Sequence, residues 1–310
     1  MSSTSSMMRA AYSRALGPAS NLEPATIPIP TPQPGQVLIR FGRAPIGPVQ
    51  LPRVLSIEAA GIIEAAPGSE EAFPRGAIVL TTLGGMGVMF DGAYAEYTCV
   101  SKANVHVLKR PTTLDWKVLG ALPVMLQTAH GSLFRGLKLK AGETLLVRGG
   151  TTSVGLAAAA IATNTGAKGL ATTRRGGDQT ARTMKESGAD QKAYPAGVDK
   201  VLELVGGYTL PDSLSCLAEG GICCFTGLVG GSPTAPQFHP LGMIATERYL
   251  TAYGERMFHA RKWPIDELVQ HVEDGSLKVQ VGKVVNIDQI MDAHEYVESH
   301  AGLGKVVVLV

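Results

Sequence analysis

The sequence predicts an α/β protein made of a β-rich first third followed by a doubly wound parallel sheet. Three observations carry this reading. The apolar run Thr144–Arg148 leads into Gly149-Gly150-Thr151-Thr152-Ser153-Val154-Gly155 and then into 156–162, which is the order strand, tight glycine turn, helix. Strand-like runs at 144–148, 169–173, 200–205 and 221–226 alternate with helical stretches near 154–165, 179–187 and 210–218. Residues 8–118 show short strands broken by frequent Gly and Pro.

In the first third, Pro28, Pro30, Pro32 and Pro34 precede a strand at 36–40, and further strands are expected at 59–64, 77–80 and 93–98. Together they suggest a folded-over barrel. Past the βα alternation, 243–253 offers one more strand. The tail then reads as helices at 264–274 and 287–300 and a strand at 304–310. If that strand returns to the first domain, the domain is discontinuous, with 1–118 and 264–310 in one domain and 119–263 in the other.

The glycine turn points to a nucleotide. Gly149 and Gly155 keep the outer spacing of G-x-x-G-x-x-G, with Thr152 where a middle glycine is usual. Such a turn lets backbone N–H groups approach a pyrophosphate, and the helix N-terminus adds its partial positive charge. The small side chains at 157–160 let the helix lie close on a sheet. The next strand ends about 20 residues after the turn, where the ribose-reading residue belongs. Thr172-Thr173-Arg174-Arg175 stand there, with no carboxylate until Asp178. A carboxylate would repel a 2′-phosphate, whereas a guanidinium pairs with it through two charged hydrogen bonds. The expected cofactor is therefore NADPH. The competing readings are a plain strand-to-helix turn and a solvated basic loop.

Composition sets the class. The chain has 310 residues, enough for two domains, with 45% hydrophobic and 17% charged residues. A net charge of +2 implies no nucleic-acid partner and no membrane surface. No apolar stretch approaches the ~20 residues that span a bilayer. Residues 1–6 read as a Ser-rich tip rather than a signal peptide. Cys99, Cys216, Cys223 and Cys224 lack metal spacing and read as free thiols of a reducing compartment, so the expected location is the cytoplasm.

Taken with 51–61, 92–97, 137–143, 186–190, 204–207 and 302–307, these pieces resemble the medium-chain dehydrogenase/reductase superfamily, in its zinc-free quinone oxidoreductase-like branch. The resemblance covers nearly the whole chain. It implies an N-terminal GroES-like catalytic domain, a Rossmann domain, and a cofactor in the cleft between them. Carried onto matching positions, Gly149, Thr152, Ser153 and Val154 would meet the pyrophosphate. Thr173, Arg174 and Arg175 would meet the 2′-phosphate. Val205, Thr226, Gly227 and Val229 would line the ribose and nicotinamide side. Gln127 and Thr128 would border the nicotinamide, and Gly304 and Lys305 would close over the cofactor. The resemblance also implies a homodimer through 243–253, which Leu250 and Tyr253 allow.

Two departures bear on the chemistry. Zinc alcohol dehydrogenases carry Gly-His-Glu where this chain has Ser56-Ile57-Glu58. Ile57 cannot ligate a metal, the structural-zinc cysteine loop is missing, and Glu58 reads as a structural carboxylate, so no zinc is expected. Without a Lewis acid the favoured reaction is hydride addition to a C=C bond conjugated with a carbonyl. The segment 41–50 is also shorter than the family's, which often shapes the active site there. Tyr94, beside the glycine-rich loop 84–92, is the candidate proton donor, with a packing role as its competitor. Met86, Phe90, Tyr94, Met125 and Tyr253 are candidates for an apolar pocket, and the partner is a hydrophobic small molecule. His106, His130 and His239 fall in turns or helix starts, and His271, His294 and His300 on solvated tail helices. The alternatives are a cyclase or isomerase on the same fold, and an NADPH-binding sensor without catalysis.

Overall fold

The computed structural model describes residues 6–15, 17–43, 51–190, 194–232, 234–235, 237–254, 263–299 and 302–310. The shortened segment falls mostly outside them, as does His300. The described residues form two compact units: 6–124 with 263–269 and 281–310, and 125–254 with 270–280. The first is discontinuous. The division falls at 124/125, inside a helix, rather than at 118/119.

In the first unit, β1 (Met7–Ser13) pairs antiparallel with β2 (Leu22–Pro28), and β1 also pairs with β4 (Arg53–Val54). The strand β2, which ends at the first proline of the Pro-rich stretch, was left out of the sequence reading. Pro24 and Pro28 are tolerated because β2 is an edge strand, where a missing N–H breaks no ladder. A second sheet has the order β7-β3-β5-β6-β8. It consists of β3 (Gln36–Arg43), β5 (Glu58–Ala65), β6 (Ile78–Thr82), β7 (Tyr97–Ser101) and β8 (Val105–Val107). The strand expected at 93–98 starts at Tyr97 instead, because 84–95 is tied into turns. One face of these sheets builds a core around Val37, Ile39, Ile63, Val79 and Tyr94.

The helices α1 (Trp116–Leu119) and α2 (Pro123–His130) follow, and α2 runs on through a wider π-type turn to Gly136. In the second unit, β9 (Thr144–Arg148), β10 (Lys168–Thr172), β11 (Ala189–Asp190), β12 (Val198–Glu203), β13 (Leu217–Phe225) and β14 (Tyr249–Ala252) form one sheet, parallel throughout. The order is β11-β10-β9-β12-β13-β14. Counted along the chain this is 3-2-1-4-5-6, the doubly wound Rossmann order. The helices are α3 (Ser153–Asn164), α4 (Asp178–Glu186), α5 (Leu210–Ser215) and α6 (Pro240–Met243). The alanines of α3 are buried, as their size suggested. In the tail, α7 (Ile265–Glu273) and α8 (Ile290–Glu298) flank β15 (Val281–Asn286), which pairs in parallel with β16 (Lys305–Leu309).

Candidate active site

In a doubly wound sheet the strand order reverses between the first and fourth strands, and ligands bind beyond the carboxyl ends of the strands there. Here those strands are β9 and β12. The turn after β9 is tightly built. Gly149 sits at φ +83°, a conformation that suits glycine. A Cβ on Gly150 would come within 2.5 Å of the Ala171 side chain, so only glycine lets the turn lie against β10. Thr152 caps α3 by accepting from the Gly155 N–H at 3.0 Å and donating to the Gly149 carbonyl at 2.8 Å. That cap explains the departure from a middle glycine. The first-turn N–H groups of Ser153 and Val154 have no acceptor within the helix.

The end of β10 is held to this turn by a hydroxyl contact of 3.1 Å between Thr151 and Thr173. The Arg175 N–H donates to Thr173 Oγ1 at 3.0 Å, while Arg174 is exposed. Asp178 waits until the start of α4, past Gly177 at φ +95°. The turn after β12 is built by Glu203, which is fully buried. Its Oε1 accepts from the Val205 and Gly206 N–H groups at 2.6 and 3.1 Å, and its Oε2 from the Ser213 hydroxyl. After β13, Thr226 and Gly227 both donate to the Glu203 carbonyl, and Val229 donates to that of Leu204. A Cβ on Gly149 would touch Leu204 and Val205 at 3.4 Å, so the two turns lie side by side.

A sequence model of the zinc-binding dehydrogenase family matches residues 175–308. The quinone oxidoreductase of Pongo abelii is 28% identical over 316 residues, covering 91% of this chain and 92% of that protein. Among solved structures, an NAD-dependent alcohol dehydrogenase superposes with a TM-score of 0.83 at 25% identity, covering 98% of this chain and all of that one. A mycobacterial protein complexed with NADPH gives 0.82 at 25% identity, with 98% and 100% covered. Over nearly its whole length the chain is similar to quinone oxidoreductases of the medium-chain dehydrogenase/reductase superfamily. Its similarity to the curated quinone oxidoreductases supports an oxidoreductase.

Several residues read from the sequence sit elsewhere than expected. Lys305 is held in an ion pair. Its ammonium is bound to Glu58 Oε1 at 2.5 Å, while Glu58 Oε2 accepts the Val124 N–H. Burial pushes the Glu58 carboxyl up from its ordinary value, and the Lys305 charge pulls it down. Tyr94 is no exposed acid. It is 1% accessible, in the core of the first unit, edge-on to His294. Burial raises its hydroxyl well above the ordinary range, and the nearby Glu58 charge adds to this. Met86 is fully buried in the same core, with Phe90 packed against it. The loop 84–92 is fastened by Leu83 N–H to Ile57 O and Gly92 N–H to Val54 O, and a Cβ on Gly87 or Gly92 would strike the backbone of 55–56. It is a packed turn.

In the second unit, Met125 is buried and Tyr253 fills the space left by Gly131, so Tyr253 is a packing ring. Thr226 shares a hydroxyl contact of 3.0 Å with Ser132. Gln127 is buried, and neither atom of its amide has a hydrogen-bond partner. Thr128 and Gly304 are half-buried, and Val229 is exposed. Two histidine placements also change. His106 lies in β8 and meets Asp266 at 3.1 Å, and His294 is buried rather than solvated. Glu203 escaped the sequence reading. Its signal was a lone carboxylate inside the apolar run 201–205. Among the described residues, no cluster of three His, Cys, Asp or Glu side chains is gathered.

Proposed function

We propose that the protein is an NADPH-dependent, zinc-independent reductase that adds hydride to the activated C=C bond of a hydrophobic enone or quinone. The observation that carries this is the end of β10. The position next to the glycine turn, where an acid would read a ribose hydroxyl, holds Thr173-Arg174-Arg175, with Arg174 exposed. The structural relatives bear names of both cofactor kinds, so the choice rests on these arginines.

The residues present suit a dinucleotide. The N–H groups of Ser153 and Val154, at the start of a twelve-residue helix, would hold the pyrophosphate. The turn that Glu203 shapes would carry Val205, Thr226 and Gly227 against the ribose and nicotinamide side. The empty amide of Gln127 is a buried group that gains from a polar ligand. When bound, the dihydronicotinamide supplies the hydride. Zinc independence draws support from Glu58, whose two oxygens are taken by Lys305 and Val124, and from Ile57 beside it. With Tyr94 buried and its hydroxyl harder to ionise, the proton for the reduced carbon comes from water.

The same proposal includes a homodimer through β14, the edge strand, where Tyr249 is exposed, and a cytoplasmic location suggested by the free cysteines. Light scattering checks the first. The cofactor is tested by calorimetry with NADPH and NADH on wild type and on Arg174→Ala/Arg175→Ala. NADPH should bind at least tenfold tighter than NADH, and the double variant should erase that preference, since each charged hydrogen bond to phosphate contributes about 1.5–3 kcal/mol. No binding of either nucleotide would end the reductase reading. NADPH oxidation with an enone and quinone panel then tests the substrate class.

A further inference from the structure

The first unit carries a cavity of about 430 Å3, within the usual size range of small-molecule sites. None of the residues assigned above to the nucleotide or to hydride transfer lines it. Arg40, Ile62 and Tyr97 stand in register on β3, β5 and β7 and form one wall. Their neighbours Ile39 and Ile63 are buried in the core, so alternation along the strands turns this row to the opposite face. Trp116 of α1, Leu309 of β16, Ile29, Met7 and Val310 supply further apolar surface. The cavity is four residues along β5 and β16 from the Glu58–Lys305 pair, roughly 13 Å at the rise of a strand.

The charge at the rim is unbalanced. Arg40 Nε meets Glu64 at 2.9 Å, and the same carboxylate also holds Arg75 at 3.2 Å. Two guanidinium groups thus share one carboxylate, which leaves a net positive charge. Arg40 is half exposed, lines the cavity and engages Glu64 through Nε, which leaves its Nη groups for a ligand. Glu96 also lines the cavity, but both its oxygens accept from Arg9, at 2.7 Å from the backbone N–H and 3.0 Å from Nε. Arg9 also meets Asp288 at 3.8 Å, so that guanidinium is taken up by two carboxylates and the free positive charge is confined to the Arg40–Glu64–Arg75 cluster.

We propose that this cavity is a second ligand site, separate from the nucleotide turn, and that it takes a small planar aromatic carboxylate. The rings would pack against Trp116 and Tyr97, and the carboxylate would sit on the Arg40 fork.

The test is calorimetric titration with 2-naphthoate, alongside the neutral 2-naphthamide. Wild type should bind naphthoate saturably, with quenching of tryptophan fluorescence that disappears in Trp116→Phe. Arg40→Gln should weaken naphthoate roughly tenfold, as expected for one charge-assisted hydrogen bond, and leave naphthamide unchanged. Ile62→Glu should abolish both by filling the wall and placing a carboxylate there. Both positions face away from the core, and an unchanged melting temperature verifies the fold of each variant. Arg174→Ala/Arg175→Ala should bind naphthoate as wild type does. Absence of saturable binding, or equal affinity in Arg40→Gln and Ile62→Glu, would overturn the proposal. So would loss of binding in the Arg174/Arg175 variant, which would put the anion in the nucleotide turn.

Discussion

Each unit of the protein buries one glutamate completely, and the two are satisfied in different ways. Glu58, at the start of β5, is neutralised by the ammonium of Lys305 from β16 and accepts the Val124 N–H from α2. Glu203, at the end of β12, is satisfied by neutral donors. It is held by two backbone N–H groups and the Ser213 hydroxyl. The first arrangement ties together three segments far apart in sequence. The second shapes four consecutive residues of a turn. A buried charge can therefore act as a long-range clamp or as a local template, and the partner chemistry decides which.

Glu→Gln at the two sites separates these roles. At 58 the substitution leaves the Lys305 ammonium 14% accessible and without its counter-charge. Removing one partner of a buried pair costs about 3–5 kcal/mol. Glu58→Gln should therefore lower the urea midpoint strongly. Replacing both partners, as in Glu58→Leu/Lys305→Leu, should recover most of the loss, because the desolvation penalty disappears with the charges. If the double variant is no more stable than the single one, the pair is not the clamp described here.

Acid should strain the first unit through a different buried group. Burial pushes His294 down from 6.5 to about 4, and its Nε2 has no hydrogen-bond partner. Between these values the unfolded chain binds a proton that the folded chain does not. The stability contribution is then whole above pH 6.5, falls as pH drops through the window, and is lost by about pH 4. The loss amounts to at most about 3 kcal/mol. His294→Leu should remove that part of the slope between pH 7 and 4.5 in urea titrations. An unchanged slope would show that other groups cause the acid response.

The contrast also bears on what the sequence reveals. The glycine turn, the βα alternation and the basic end of β10 were legible because each is a local pattern with a local cause, such as a positive φ, a small-residue helix or an absent acid. The Rossmann strand order follows from connection rules once those strands are placed. The Glu58–Lys305 pair was not legible because its two members lie 247 residues apart. The strand β2 was missed because proline argues against a strand unless its edge position is known. Glu203 was visible in outline as a carboxylate in an apolar run, but the geometry of its donors appears only when the backbone folds back over it.

The smallest expected effect is the most discriminating. Glu203→Gln keeps an oxygen to accept from Val205 and Gly206 and places an amide N–H₂ toward Ser213, whose hydroxyl can turn to accept. Only the charge assistance is lost, so stability should fall by about 1 kcal/mol, well below the loss at Glu58. The turn it shapes carries Val205, so any loosening should weaken NADPH binding several-fold, while 2-naphthoate binding in the first unit stays as in wild type. Parallel titrations of the two ligands on Glu203→Gln read this directly. Equal weakening of both would mean that Glu203 supports the chain as a whole. Weakening of NADPH alone would make it a positioning residue for the nucleotide turn, acting through the backbone it holds.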